Sequence, residues 1–176
     1  VLESGEMFVG TWHGDPAKIS GRAGEVVFNT SHSGYEEIST DPSYFNQILV
    51  MTATMMGNYG ADQKCWQSRR LWFDGFVACQ VQRSTRDTSW EQRLLSNGIP
   101  ILSELDTRKI VMHLRDNGTP WGALVAANTK DEAWEKAKVL IHDKKKIQSD
   151  WVHLVSVPKM EVRKGIDSKG PRVALL

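Results

Sequence analysis

Only two cysteines occur in the 176 residues, Cys65 and Cys79, and they stand too far apart to form a CxxC pair or half of a zinc site. A disulfide framework needs more of them, so a reducing, cytoplasmic setting is expected. Long apolar runs are missing too. None approaches the ~20 residues that span a bilayer, and Val1-Leu2 leads into Glu3-Ser4-Gly5 instead of the apolar stretch of a signal peptide. The formal charge of only +1 gives nucleic acid little to bind. Neither G-x-G-x-x-G nor G-x-x-x-x-G-K-[S/T] appears, so no dinucleotide or NTP phosphate loop is expected. His13, His32, His113, His142 and His153 share no HxH or HExxH spacing, so no metal site is expected. Neither Gln63-Lys64-Cys65-Trp66 nor Val77-Ala78-Cys79-Gln80 makes the Gly-flanked elbow of a thiol nucleophile, and both cysteines read as buried and inert. A membrane protein, a nucleic-acid binder and a self-contained catalyst are thereby disfavoured.

What is present is the composition of a folded domain, 40% hydrophobic and 24% charged. Seven tryptophans, Trp12, Trp66, Trp72, Trp90, Trp121, Trp134 and Trp151, are expected mostly in the core, with one or two at an interface. The first half is β-rich. Leu2-Glu3 and Met7-Phe8-Val9 around Ser4-Gly5 suggest a hairpin, Val26-Val27-Phe28 and Ile48 to Thr52 suggest strands, and Leu71 to Val81 suggests a strand pair or one bulged strand. Gly57-Asn58-Tyr59-Gly60 reads as a turn needing positive φ. The second half alternates helices and strands. Ser89, Asp106 and Thr129 are the expected N-caps, and Asn97-Gly98 and Asn117-Gly118 the stops. Ile99 to Leu102 and Leu124-Val125 are short strands between them. Lys144 to Lys146 reads as a solvated helix end. From Gln148 to Pro171 turn residues accumulate as in a linker, and Arg172 to Leu176 begins a new strand. The bottom-up reading is a β-rich α/β domain with no catalytic centre of its own; with the resemblance below, its bounds are set at 1–157, and 158–176 is expected to be a linker and the first strand of another domain.

Two segments carry a family resemblance. Gly24 to Thr30, Gly34-Tyr35-Glu36-Glu37-Ile38 and Thr40-Asp41-Pro42-Ser43-Tyr44, followed by Gly57 to Gly60, form the first. Gly98-Ile99-Pro100, Asp106-Thr107-Arg108, Leu114-Arg115 and Gly118 form the second. In order and spacing they resemble the N-terminal domain of the carbamoyl-phosphate synthetase small subunit over nearly all of 1–157. The resemblance implies a three-layer β/β/α swivelling domain, the large synthetase subunit as partner, and a following glutaminase domain in the same chain. The whole complex would make carbamoyl phosphate from glutamine, bicarbonate and ATP, for pyrimidine and arginine biosynthesis. It implies no cofactor for this fragment, with ATP and Mg belonging to the large subunit. One substrate contact carries over: the Ser of Asp-Pro-Ser-Tyr, here Ser43, reaching glutamine across the domain boundary. The alternative is that Ser43 only caps the helix opened by Asp41-Pro42. Arg108, in the first turn of a helix, needs a carboxylate or carbonyl, internal or on the large subunit, with internal favoured. The chain departs from the family at Thr52-Ala53-Thr54-Met55-Met56, where Thr-Tyr-Pro-His-Ile is usual, at Gln67-Ser68, where Glu-Ser is, and at Val77-Ala78-Cys79-Gln80, where an Arg-Asp pair is. Those departures bear on docking and leave open an assembly role in another complex. A stand-alone hydrolase using Cys65 or Cys79 with a distant His is the third reading.

Overall fold

The computed structural model of the chain describes residues 1–84, 89–160 and 162. Along it run β1 (Thr11–Trp12), β2 (Arg22–Asn29), α1 (Tyr35–Ser39), β3 (Gln47–Met51), β4 (Met55–Met56), β5 (Gly75–Val77) and β6 (Gln80–Val81). The second half adds α2 (Trp90–Ser96), β7 (Ile101–Ser103), α3 (Thr107–Asn117), β8 (Trp121–Leu124), α4 (Lys130–Lys145) and α5 (Trp151–Val155). Six strands form a curled sheet in the order β1-β7-β5-β3-β2-β8. The inner strands β7, β5, β3 and β2 are parallel, and β1 and β8 join antiparallel at the edges. Strands β4 and β6 pair in a small second sheet. The expected α/β class is the one observed.

β3 shows why the sheet forms where it does. Ile48, Leu49, Val50 and Met51 are all buried, as a central parallel strand covered on both faces requires. Because side chains alternate along a strand, Leu49 and Met51 join Phe76 and Ile101 under Tyr35, Trp90 and Leu94. Ile48 and Val50 join Val77 on the opposite face, under Ile110 and Leu114 of α3. α4 lies over Ala23 and Ala123, burying Ala137 and Ile141. The caps are as expected: Ser89 accepts from the Gln92 amide, Asp106 from Lys109 and Thr129 from Glu132. Gly118, at φ 82°, closes α3.

Tertiary pairing overrides several local expectations. Of the opening hairpin only the turn forms, the Leu2 amide donating to the Glu6 carbonyl at 2.8 Å and the Gly5 amide to the Leu2 carbonyl at 3.0 Å. Leu2 instead bridges Gly122 of β8, and the Val1 ammonium donates to the Ala123 carbonyl. Leu71 to Val81 divides between two sheets, with β5 inside the main one and β6 on β4. Lys144 is not a solvated end: its ammonium sits 2.6 Å from Asp74, which Arg22 also meets at 3.2 Å, and Lys145 pairs with Glu3. Of the tryptophans only Trp72 and Trp90 are buried, and Trp151 is exposed on α5, a helix inside the stretch read as linker. The strand expected at 172–176 lies outside the described residues.

Candidate functional site

Ser43 lies in a single 3-10 turn, Pro42–Tyr44, between α1 and β3. Asp41 is its cap: the carboxylate accepts from the Ser43 amide at 2.9 Å, and Pro42 follows at the position whose missing N–H is not needed. Capping therefore falls to Asp41. The Ser43 side chain is exposed, and among the described residues its hydroxyl has no hydrogen-bond partner.

The turn is pinned on both sides. The Tyr44 hydroxyl accepts from the Asn29 amide at 2.9 Å, tying it to the end of β2. Phe45 packs edge-on against Trp72 and Trp151, with ring centroids 5.7 and 5.5 Å apart, and Arg70 stacks over Trp72 at 4.1 Å. Asn46 then takes φ 65°, and its carbonyl comes so close to Gly24 that a Cβ there would stand 2.3 Å away. Gly24 is thus required for this approach, which sets the turn against β2.

Beside it the motif segments Gly34–Ile38 and Gly57–Gly60 meet. Tyr35 and Tyr59 stack at 4.2 Å. The Tyr59 hydroxyl accepts from the amides of Gly34 and Tyr35, and the Tyr35 hydroxyl donates to the Gly60 carbonyl at 2.6 Å. Gly57 and Gly60 hold φ 86° and 80°, as expected of this turn. Glu36, almost wholly buried, accepts from the Asp62 amide at 2.6 Å and from the Trp66 indole at 3.3 Å. Burial lifts its carboxyl above the usual range, while those two hydrogen bonds and the charge of Arg93 act against the shift. Thr40 extends the same unit by accepting from the Gln67 amide and the Ser68 hydroxyl. The result is a rigid support that presents Ser43 outward. No spacing distinguished Glu36 from its neighbour Glu37, because only the fold of residues 61–68 over α1 buries one and not the other.

A second constellation was invisible in the sequence. His13 Nδ1 lies 2.7 Å from Glu91 and Nε2 lies 2.6 Å from the Ser103 hydroxyl, and Arg83 is 3.5 Å from the other Glu91 oxygen. The order is that of a serine-hydrolase relay. Yet Ser103 sits on β7 with 3% of its surface exposed, so no substrate carbonyl can approach its oxygen. Its evident work is to tie the segment after β1 to α2 and β7. The cysteines depart from expectation: Cys65 is exposed and Cys79 only half-buried. The internal partner expected for Arg108 is absent as well. Its side chain is exposed, with no carboxylate or carbonyl in reach among the described residues.

Residues 1–124 match the family described as "Carbamoyl-phosphate synthase small chain, CPSase domain". The carbamoyl phosphate synthase small chain of Symbiobacterium thermophilum is 42% identical over 129 residues, covering 70% of this chain and 34% of that protein. The Streptomyces coelicolor small chain is 38% identical over 144 residues, 79% of this chain and 37% of its own length. That of Clostridium acetobutylicum is 34% identical over 163 residues, 90% and 44% respectively. The chain thus spans well under half the length of the curated relatives it matches. With the motif segments converging on one support and the match running through both, the chain belongs to the carbamoyl-phosphate synthase small-chain family, of which it forms the N-terminal domain.

Proposed function

We propose that this domain is the docking and structural part of a glutamine-hydrolysing small subunit, without catalytic activity of its own, and that Ser43 contributes a hydroxyl to glutamine held by the domain that follows. The observation behind the Ser43 role is that its hydroxyl is exposed and, among the described residues, unpaired, on a turn whose cap and flanking rings are engaged. A hydroxyl donates or accepts equally well, which suits an amino-acid ligand. The large subunit is the partner, and ATP and Mg act there, so the complete enzyme makes carbamoyl phosphate for pyrimidine and arginine biosynthesis in the cytoplasm.

The test is Ser43→Ala in the complete two-subunit enzyme, assayed with glutamine and with ammonia. Losing one hydrogen bond, worth about 0.5–1.5 kcal/mol if neutral and 1.5–3 if charge-assisted, should lower kcat/KM for glutamine roughly threefold to a hundredfold. Synthesis from ammonia should be unchanged. Equal losses with both nitrogen donors would remove Ser43 from the glutamine site.

A further inference from the structure

We propose that the outer face of α3 is the contact surface for an acidic, apolar-centred segment of the large subunit, an inference that rests on the docking role above. The observation is a selective lack of partners. Arg22 and Arg83 form ion pairs, Arg69 donates to the carbonyls of Leu154 and Ser156, and Arg70 and Arg93 stack on Trp72 and Trp66. Among the described residues, Arg108 and Arg115 alone of the arginines have no such contact, and both line one open groove with Thr52, Val111 and Met112. No carboxylate belongs to that lining.

Helical geometry explains the arrangement. Positions 108, 111, 112 and 115 recur at three- and four-residue intervals, so they share one stripe of α3. The other stripe, Ile110 and Leu114, is buried against the sheet. The guanidinium-bearing residues are two turns apart, about 10 Å along the axis. Met112 stands between them, 55% exposed. The groove therefore offers donors at both ends and an adaptable apolar centre. Its complement is a protein segment with carboxylates about 10 Å apart, each able to take a guanidinium fork, and an apolar side chain between them.

The experiment measures association of the purified full small chain with its large chain at increasing salt. Arg108→Glu/Arg115→Glu should bind at least about tenfold more weakly than wild type, as expected for arginine anchors. Its affinity should also depend less on salt. Lys109→Glu/Lys130→Glu, with the same change in net charge outside the groove, should bind as wild type does. Melting curves accompany each variant, and Arg108→Gln/Arg115→Gln, which only neutralises the pair, should show a smaller loss in the same direction. Wild-type binding together with either no loss on the groove reversal or an equal loss in the lysine control would overturn the α3 surface and leave the docking role standing. A wild-type chain that fails to bind the large chain at all would overturn both.

Discussion

Replacing Gly57 by Ala and, separately, Gly118 by Ala distinguishes two costs that usually arrive together. Both glycines take positive φ, 86° and 82°, and Gly118, with ψ −162°, sits in a region essentially reserved for glycine. At Gly118 an added Cβ meets nothing within 4 Å, so Ala suffers only the conformational penalty, about 1–3 kcal/mol. At Gly57 the same Cβ would stand 2.7 Å from the Gln82 carbonyl oxygen and 3.2 Å from the Cβ of Trp90. Neither neighbour yields easily. The Gln82 amide is bonded to the Met56 carbonyl just beyond the β4–β6 pair, and Trp90 is fully buried under Tyr35 and Phe76. Forcing a methyl into such packing adds about 1–3 kcal/mol. For a chain of this size each kcal/mol lowers Tm by roughly 2–4 °C. Gly118→Ala should therefore cost roughly 2–12 °C, and Gly57→Ala, with a left-handed penalty of about 1–2 kcal/mol and the clash together, roughly 4–20 °C, followed by circular dichroism on heating. Equal shifts for the two variants would show that the Gly57 turn is not clamped between β6 and α2.

Glu36→Gln should change the pH dependence of stability. Because the folded carboxyl titrates above its unfolded value, its stabilising effect is complete below the unfolded pKa and is lost as pH rises through the folded one. The variant should thus gain stability relative to wild type between mildly acid and neutral pH, and a constant difference in denaturant midpoint across that range would refute the buried, shifted carboxyl. Ser103→Ala removes the hydroxyl from His13 and should cost about 0.5–1.5 kcal/mol of stability, yet leave glutamine-dependent synthesis by the complete enzyme intact. Loss of that synthesis with an unchanged melting curve would make the Ser103–His13–Glu91 relay catalytic.

What the sequence determined by itself is whatever depends on neighbours within a few residues. Ser89, Asp106 and Thr129 cap their helices because each bond spans three residues and needs no other part of the molecule. Gly34, Gly57, Gly60 and Gly118 take positive φ because a missing Cβ is a property of the residue. The apolar run at β3 announced a doubly covered strand for the same local reason. Tertiary structure alone decided which surfaces meet. It drew Leu2 to β8, 120 residues on, and left only the turn of the opening hairpin. It brought His13 to Glu91 and Ser103 across 78 and 90 positions. It sent Lys144 to Asp74, and among the described residues it gave Arg108 no partner. Such contacts follow from where the sheet order places each element, and nothing local in the chain encodes that order: Glu36 and Glu37 are adjacent and chemically identical, and only the segment folded over α1 buries the first.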